Sequence, residues 1–451
     1  MDKPHLTTQE PSPEDAVQRA LDESPTAGVV RTLLVLCCAL TIADGFDLGV
    51  VAYIAPALTA EWNLNPSALG YVFGSGLLGL AIGAVFFAPL ADRMGRRSII
   101  IVAATLTGLS MLASAFATSS DQFLVARLIT GAGVGVLIPV LTTYVSEISK
   151  SSSRNVNVAL IVAIGTVGSV IAALLSANLL DDVGWRWIVG GGGFVTLLLA
   201  LVSFKMLSES PVFLSRGPGS DALQKTNVVL QRLGATPLQS VPEALSTSPA
   251  ISVVKLFSGS YRVTTLVLWG VFIAINLFSY FMVSWTPQML TQRGLSIELS
   301  IYAGMAFPVG AGVGAIVIAA CARNRELRRI VILAFAVGCA AVLVLSALVW
   351  AKLWPYVIAF NFVSGFLISG GFASVFTIAA TYYSAALRAT AIGWCMGVSR
   401  VGAVIGPVIA GYLFERQVPV YKAYWLFLVP IFLAILCLAY LPRCPTLQPA
   451  D

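Results

Sequence analysis

The sequence predicts an all-α membrane protein, with twelve transmembrane helices in two six-helix pseudo-symmetric bundles. Three observations carry this expectation. The 451 residues are 58% hydrophobic and only 11% charged, whereas a soluble domain is about a quarter charged. Apolar runs of about 20 residues, the length that spans a hydrocarbon core, recur along the whole chain. One long polar gap, Ser208 to Tyr261, divides them six and six.

In order, the runs cover residues 31–58, 66–90, 98–117, 122–146, 156–180 and 185–207. After the gap come 262–290, 299–321, 330–350, 354–383, 389–413 and 421–441. They are called spans 1 to 12. Residues 1–28 form a polar, Pro-containing tail, expected to be disordered and cytoplasmic. No basic stretch runs directly into an apolar core, so the tail is not read as a cleavable signal peptide. The expected division is therefore a tail, an N-terminal bundle at 29–207, a cytoplasmic central loop at 208–261, a C-terminal bundle at 262–441 and a second cytoplasmic tail at 442–451. Within the loop, DALQKTNVVLQRL (Asp221 to Leu233) sets Leu223, Val229, Leu230 and Leu233 at helical spacing. The expectation there is a short amphipathic helix on a solvated linker anchored at the membrane surface. A weak repeat supports duplication: APLADRMGRR (Ala88 to Arg97) and ACARNRELRR (Ala320 to Arg329) stand in equivalent loops, placing Asn324 opposite Asp92 and Arg325 opposite Arg93.

The net charge of +6 reflects orientation rather than nucleic-acid binding. With the N-terminus inside, only Arg186, Arg293, Lys352, Arg416 and Lys422 of the 27 Lys and Arg fall in outer loops, as the positive-inside rule requires. The seven cysteines show no metal-ligand spacing and read as small packing residues. The single histidine, His5, lies in the tail, so proton chemistry in the membrane has to proceed without imidazole. No cofactor is expected, and no phosphate-cradling loop, metal cluster or nucleophile–base pair suggests an enzyme.

Span 1 carries the most informative segment, TIADGFDLGVVAYIAP (Thr41 to Pro56). Asp44 and Asp47 are the only acids near the middle of any predicted span. They lie about 20 Å along the helix from Arg31 and share one face through their i, i+3 spacing. Membrane carboxylates face a cavity or a partner and are functional by default. Two like charges in low dielectric do not both ionise readily, so one of the two is expected to hold the coupled proton. Arg127 in span 4 and Arg400 in span 11 supply countercharge, either to an organic anion through a bidentate fork or to Asp44 and Asp47 themselves. Asn276, Tyr280 and Trp285 in span 7 and Trp394 in span 11 suit the wall of a site for a flat, partly apolar ligand; core packing accounts for them equally well. Gly131, Gly133 and Gly135 in span 4, and Gly397, Gly402 and Gly406 in span 11, read as close helix contacts. The loop residues Asp92, Arg93, Gly95 and Arg96, with Glu147, Arg154 and Arg388, are candidates for a gating network at the cytoplasmic side.

Taken together, these residues resemble the major facilitator superfamily over nearly the whole chain outside the tails. LADRMGRR (Leu90 to Arg97) is similar to the signature between its second and third helices, with Ala88 where Gly is usual. LSESPVFL (Leu207 to Leu214) is similar to a PESPRFL-type element after the sixth, without its Pro and Arg. Within the superfamily, DGFD (Asp44 to Asp47), RLITGAGVG in span 4, RATAIGW (Arg388 to Trp394) and the Arg400 helix resemble the aromatic acid:proton symporter family. That resemblance implies proton coupling and transport by Asp44 and Asp47, and anion binding by Arg127 and Arg400, with Arg388 a further arginine. The histidines some members carry near helices 5 to 6 and 8 to 9 are absent.

The expected function is therefore import of aromatic carboxylates, such as a hydroxybenzoate or gentisate, by proton symport with alternating access. The chain is expected to act as a monomer in the inner membrane with both termini cytoplasmic. A symporter of a non-aromatic organic acid or a sugar is the nearest alternative; a sugar site calls for more Asn and Gln and gives less reason for buried Arg. A drug–proton antiporter lacks its Gly-Pro element here, since span 5 reads GTVGS at Gly165 to Ser169. A receptor that binds ligand without accumulating it is a further class.

Overall fold

The computed structural model describes residues 12–25, 28–217, 220–240, 253–258, 261–321 and 326–441. His5, Cys444, Asn324, Arg325 and the tail at 442–451 lie outside the described residues, within which every regular element is helical.

Eleven helices are long and apolar enough to cross a membrane, one fewer than the sequence suggests. The difference lies in one segment. Ser151–Met206 is assigned as a 56-residue helix, but Gly184 inside it has φ 78°. A straight helix of that length would extend about 84 Å, far beyond a bilayer. Its two parts instead pack beside one another on span 1. A Cβ at Gly45 would strike the Gly165 carbonyl, and a Cβ at Gly192 would strike the Phe46 ring. The chain therefore turns back at Gly184, in a backbone conformation that glycine adopts without penalty, and spans 5 and 6 are both present.

The remaining spans are Gly28–Trp62, Pro66–Met94, Arg96–Ala115 and Ser120–Ile148 in the first half. In the second they are Tyr261–Gln292, Ile297–Cys321, Leu327–Trp350, Trp354–Thr381, Ala385–Glu415 and Val420–Tyr440. Starts follow local rules: Asn65 accepts the amide of Ala68 with Pro66 in the first helical position, and Ser119 accepts that of Gln122. Spans 2 and 10 each loosen into a π-turn, at Gly83–Phe87 and Gly365–Ser369.

Close helix approach rests on glycine at the positions the sequence suggests except Gly397, where an added Cβ would meet nothing within 4 Å because the halves stand apart at that end. A Cβ on Gly131 would lie 2.0 Å from the Gly76 carbonyl, and one on Gly135 2.1 Å from that of Leu80, so spans 2 and 4 touch backbone to backbone. Gly131→Leu is expected to lower the melting temperature of the detergent-solubilised protein by several degrees, since overpacking costs roughly 1–3 kcal/mol. Gly397→Leu, at a position with nothing within 4 Å, should leave it unchanged in the same thermal-shift assay.

The halves meet through span 2 on span 11, span 5 on span 8 and span 1 on span 7. Their polar contacts gather at the end away from the termini. Asn65 donates to Glu415 at 3.2 Å, Tyr71 and Tyr412 join their hydroxyls, and Asn178 donates to Tyr302 at 3.3 Å. Gly411 lies against the Pro66 carbonyl at the same end. Toward the terminus-bearing end, Gly393 and Gly397 have no neighbour within 4 Å and Trp394 is 45% exposed. The bundle is closed at one end and splayed at the other.

The weak loop repeat has a structural counterpart shifted by one residue. Arg97, opening span 3, donates to the carbonyls of Phe204 and Leu207 at the end of span 6. Arg328, opening span 9, donates to those of Ala439 and Leu441 at the end of span 12. In each half a guanidinium satisfies the carbonyls that the last helix leaves unpaired.

Two expectations outside the spans are corrected. Pro13–Glu23 is a helix rather than disordered tail, opened by a Ser12–Asp15 capping box. The loop helix Ser220–Arg232 does form, but it is docked rather than solvated: Val229, Leu230 and Leu233 are buried in one cluster with Val17, Leu21, Tyr144 and Ile148.

Candidate functional site

Span 1 approaches span 5 closely because Gly45 carries no side chain, and this contact fixes the DGFD segment within the first half. The two acids then meet different surroundings. Asp47 is held by Arg127, whose Nη1 lies 2.6 Å from Oδ1. Arg127 is itself buried and engaged at all three of its nitrogens: besides Asp47 it donates to Ser114 Oγ at 3.3 and 3.0 Å and to Thr130 Oγ1 at 3.0 Å, and it lies over the Phe123 ring. Thr130 continues the chain to Ser110 at 2.8 Å. Asp44 is 1% exposed, and neither of its carboxylate oxygens has a hydrogen-bond partner. Of the two roles left open for Arg127, neutralising an acid is the one seen here.

A small cavity of about 50 Å³ lies between the halves beside this pair. Asp47, Gly76, Arg127 and Gly131 form one wall, and Tyr280, Val283 and Ser284 of span 7 the other. Arg400 reaches span 7 as well, donating from Nη1 to the Tyr280 hydroxyl at 3.4 Å. No carboxylate among the described residues lies within ion-pair distance of Arg400. The central seam thus brings together one guanidinium paired with an acid, Arg127, and one, Arg400, with no acid partner among the described residues.

The other wall residues divide. Trp394 is exposed and stacks on Trp269 at a centroid distance of 6.0 Å. Trp285 is buried between Phe73 and Phe414 and donates to the Pro407 carbonyl at 3.0 Å; it packs the region behind the cavity. Asn276 is buried and donates to Phe272 in its own helix. Core packing, the alternative reading, describes these last two.

The loop residues are brought together only in part. Arg96 is 2% exposed and binds both oxygens of Glu147, at 3.1 and 3.0 Å, along with Asp92 at 2.8 Å and the Ala91 carbonyl at 2.9 Å. Gly95 has φ 91°, and a Cβ there would strike Glu209 Oε2. Glu209 in turn accepts the amides of Arg96 and Arg97 at 2.7 and 3.1 Å, capping span 3 with a negative charge at its positive end. Glu209 is a functional residue that the sequence reading misses, and its place inside the LSESPVFL element is the signal that marks it. Arg93 is exposed outside this cluster, Arg388 donates to the Ala380 carbonyl, and Arg154 donates to Gln18 rather than joining Glu147. The network closes within one half.

Glu147→Ala would leave Arg96 buried without its bidentate partner, at a cost of about 3–5 kcal/mol, so a large fall in thermal stability is expected. Asp92, with its side chain 67% exposed, contributes far less to folding. Asp92→Asn is expected to slow transport while substrate affinity and melting temperature stay near the unaltered values; equal losses in rate and affinity would contradict this.

A two-part helical bundle, closed at one end and splayed at the other, with an ion pair and a guanidinium that meets no acid among the described residues at the central seam, is the build of a secondary membrane transporter. Comparison with known proteins agrees. The model of the Major Facilitator Superfamily matches residues 37–347 and 304–450. The chain is 32% identical over 421 residues to a gallate transporter of Pseudomonas putida, covering 93% of each. It is 30% identical over 403 residues to the 4-hydroxybenzoate transporter PcaK of the same species, covering 86% of this chain and 87% of that one. A D-xylose-proton symporter of known structure matches with a TM-score of 0.70 at 16% identity, covering 93% of this chain and 99% of that one, a likeness of fold alone. The chain belongs to the Major Facilitator Superfamily, and within it to the aromatic acid:proton symporter family its motifs resemble. It is a membrane transporter and not an enzyme.

Proposed function

We propose that this transporter imports small aromatic carboxylates of the hydroxybenzoate, gentisate or gallate kind together with protons. It would do so as a single chain in the inner membrane, with termini and central loop cytoplasmic, where most Lys and Arg lie. The observation that carries the reading is the division of the four central charges: Asp47 closed on Arg127, Asp44 buried and unpartnered, Arg400 open beside Tyr280. The names of the gallate and 4-hydroxybenzoate transporters support the substrate class.

Each part has a physical role. An ionised carboxylate buried without a hydrogen bond costs several kcal/mol, which suits Asp44 to carry the coupled proton. A ring acid placed at the seam gives its carboxylate to Arg400 and the Tyr280 hydroxyl. A proton reaching Asp47 neutralises it and frees the Arg127 fork, which then binds the anion from the other half. Substrate and proton together draw the halves onto one another, and the splayed end closes.

The test is uptake into proteoliposomes of labelled ring acids, sugars and aliphatic acids, with and without an inward proton gradient. Gradient-dependent uptake of ring acids is expected. Uptake of every ring acid that is absent, or indifferent to the gradient, sinks the proposal.

A further inference from the structure

Span 5 begins at Ser151 with a deficiency. Lys150 holds the capping position with extended backbone but offers no side-chain cap, because an ammonium has no acceptor. Six of the ten residues from 151 to 160 are exposed, since the other half lies away at this end. The missing acceptor comes from elsewhere in the chain. Asp22, on the N-terminal helix Pro13–Glu23, accepts both the Ser151 amide and the Ser151 hydroxyl at 2.7 Å. Burial works against the charged form of Asp22, but the bonds from Ser151 and Gln18 outweigh it and hold the carboxyl below its ordinary value.

The rest of this helix is fastened on two sides. Gln18 donates to the Ser149 carbonyl at 3.2 Å and accepts from Arg154, and Lys150 donates to the Ser24 carbonyl. On the other side Glu14 pairs with Arg216, and Ser24 Oγ accepts the Thr236 amide at 3.1 Å. Val17, Ala20 and Leu21, at i, i+3 and i+4, are buried in the cluster that holds the loop helix. Eleven residues are too few for a stable isolated helix, so docking and helix formation depend on one another. The N-terminal helix is a strap across the corner between spans 4 and 5.

Its position matters because of what span 5 touches. Further along, span 5 backs the DGFD segment, with Gly165 against Gly45 and Ser169 against Gly49. It also rides on span 8 of the other half, where Asn178 meets Tyr302. We infer that Asp22 is a positioning residue for transport: by capping span 5 from outside, it holds the first turn of the helix whose splayed end must close in each cycle. Transport itself is a property of the family, and the use of a ring acid as reporter rests on the proposed function.

The experiment uses the full chain in proteoliposomes, with Asp22→Ala, Asp22→Asn and the double variant Asp22→Ala with Lys150→Ser. Hydrogen exchange of amides 151–157 reads the cap directly, and initial rates of labelled 4-hydroxybenzoate uptake read the cycle. Loss of a cap should raise exchange at these amides about five-fold, with Vmax falling several-fold and KM holding within about two-fold. Asn keeps an acceptor and should preserve most of both readouts. Ser at position 150 supplies a cap within span 5 itself, so the double variant should recover exchange protection and rate although the strap still lacks Asp22. Unchanged exchange or unchanged Vmax in Asp22→Ala, a change confined to KM, or no recovery in the double variant overturns the inference. If the unaltered chain does not take up 4-hydroxybenzoate, the substrate reading is what fails, and exchange with its rescue decides the cap alone.

Discussion

Asp44→Asn and Asp47→Asn are each expected to abolish accumulation driven by a proton gradient while leaving exchange of ring acid across the membrane. A symporter moving one proton per substrate concentrates its substrate up to about ten-fold per unit of pH difference, since each unit corresponds to about 1.4 kcal/mol. The two variants should equilibrate near one-fold. Neither oxygen of Asp44 has a partner, so the amide replaces the carboxyl without breaking a hydrogen bond, and the fold should be unaffected. Asp47→Asn removes the charge that closes Arg127. Substrate binding should then persist and lose its dependence on pH, because the guanidinium no longer waits for a proton. Asp47→Ala differs, since it strands a buried cation at about 3–5 kcal/mol and should reduce the yield of folded protein. If either Asn variant accumulated ring acid with the pH-gradient dependence of the unaltered protein, that residue would have no part in coupling.

The fold was legible in the sequence because the bilayer imposes one rule on every span: apolar for about 20 residues, with all backbone groups bonded inside the helix. The central charges were legible for the same reason, since an acid in such a run cannot be incidental. Pairing was not. The spacing of Asp44 and Asp47 puts them on one face, but which acid meets Arg127 depends on where spans 1 and 4 are held by their neighbours, span 1 on span 5 through Gly45 and span 4 on span 2 through Gly131 and Gly135, and these glycines have no charge to reveal it. Trp285 and Asn276 show the same limit. An aromatic or amide on span 7 looks alike in sequence whether it faces the seam or, as here, the packed interior. The N-terminal helix was missed because its sequence is polar by composition. Val17, Ala20 and Leu21 gain stability from a surface made jointly by span 4 and by a loop some 200 residues later, and local composition carries no trace of those partners.

Arg400 carries the second large effect. Its guanidinium faces no carboxylate among the described residues, and its one hydrogen bond among them goes to the neutral Tyr280 hydroxyl at 3.4 Å, long for a charge-assisted bond. A substrate carboxylate is the group that would shorten and strengthen this arrangement. Such bonds are worth about 1.5–3 kcal/mol, so Arg400→Ala should raise the Kd for ring acids about 10- to 150-fold, measured by calorimetry in detergent. Melting temperature should barely change, because no ion pair is broken. Arg400→Lys keeps the charge without the planar fork and should fall between. Arg388→Ala is the control: that side chain is exposed and spends its bond on the Ala380 carbonyl, so its loss should leave affinity within about two-fold. The comparison also separates the two central arginines. If Arg400→Ala binds ring acids as tightly as the unaltered chain, the anion is held from the first half, which requires Arg127 to exchange Asp47 for the substrate before binding rather than after it. Affinity would then fall steeply as pH rises, whereas an anion held first by Arg400 gives a shallower dependence.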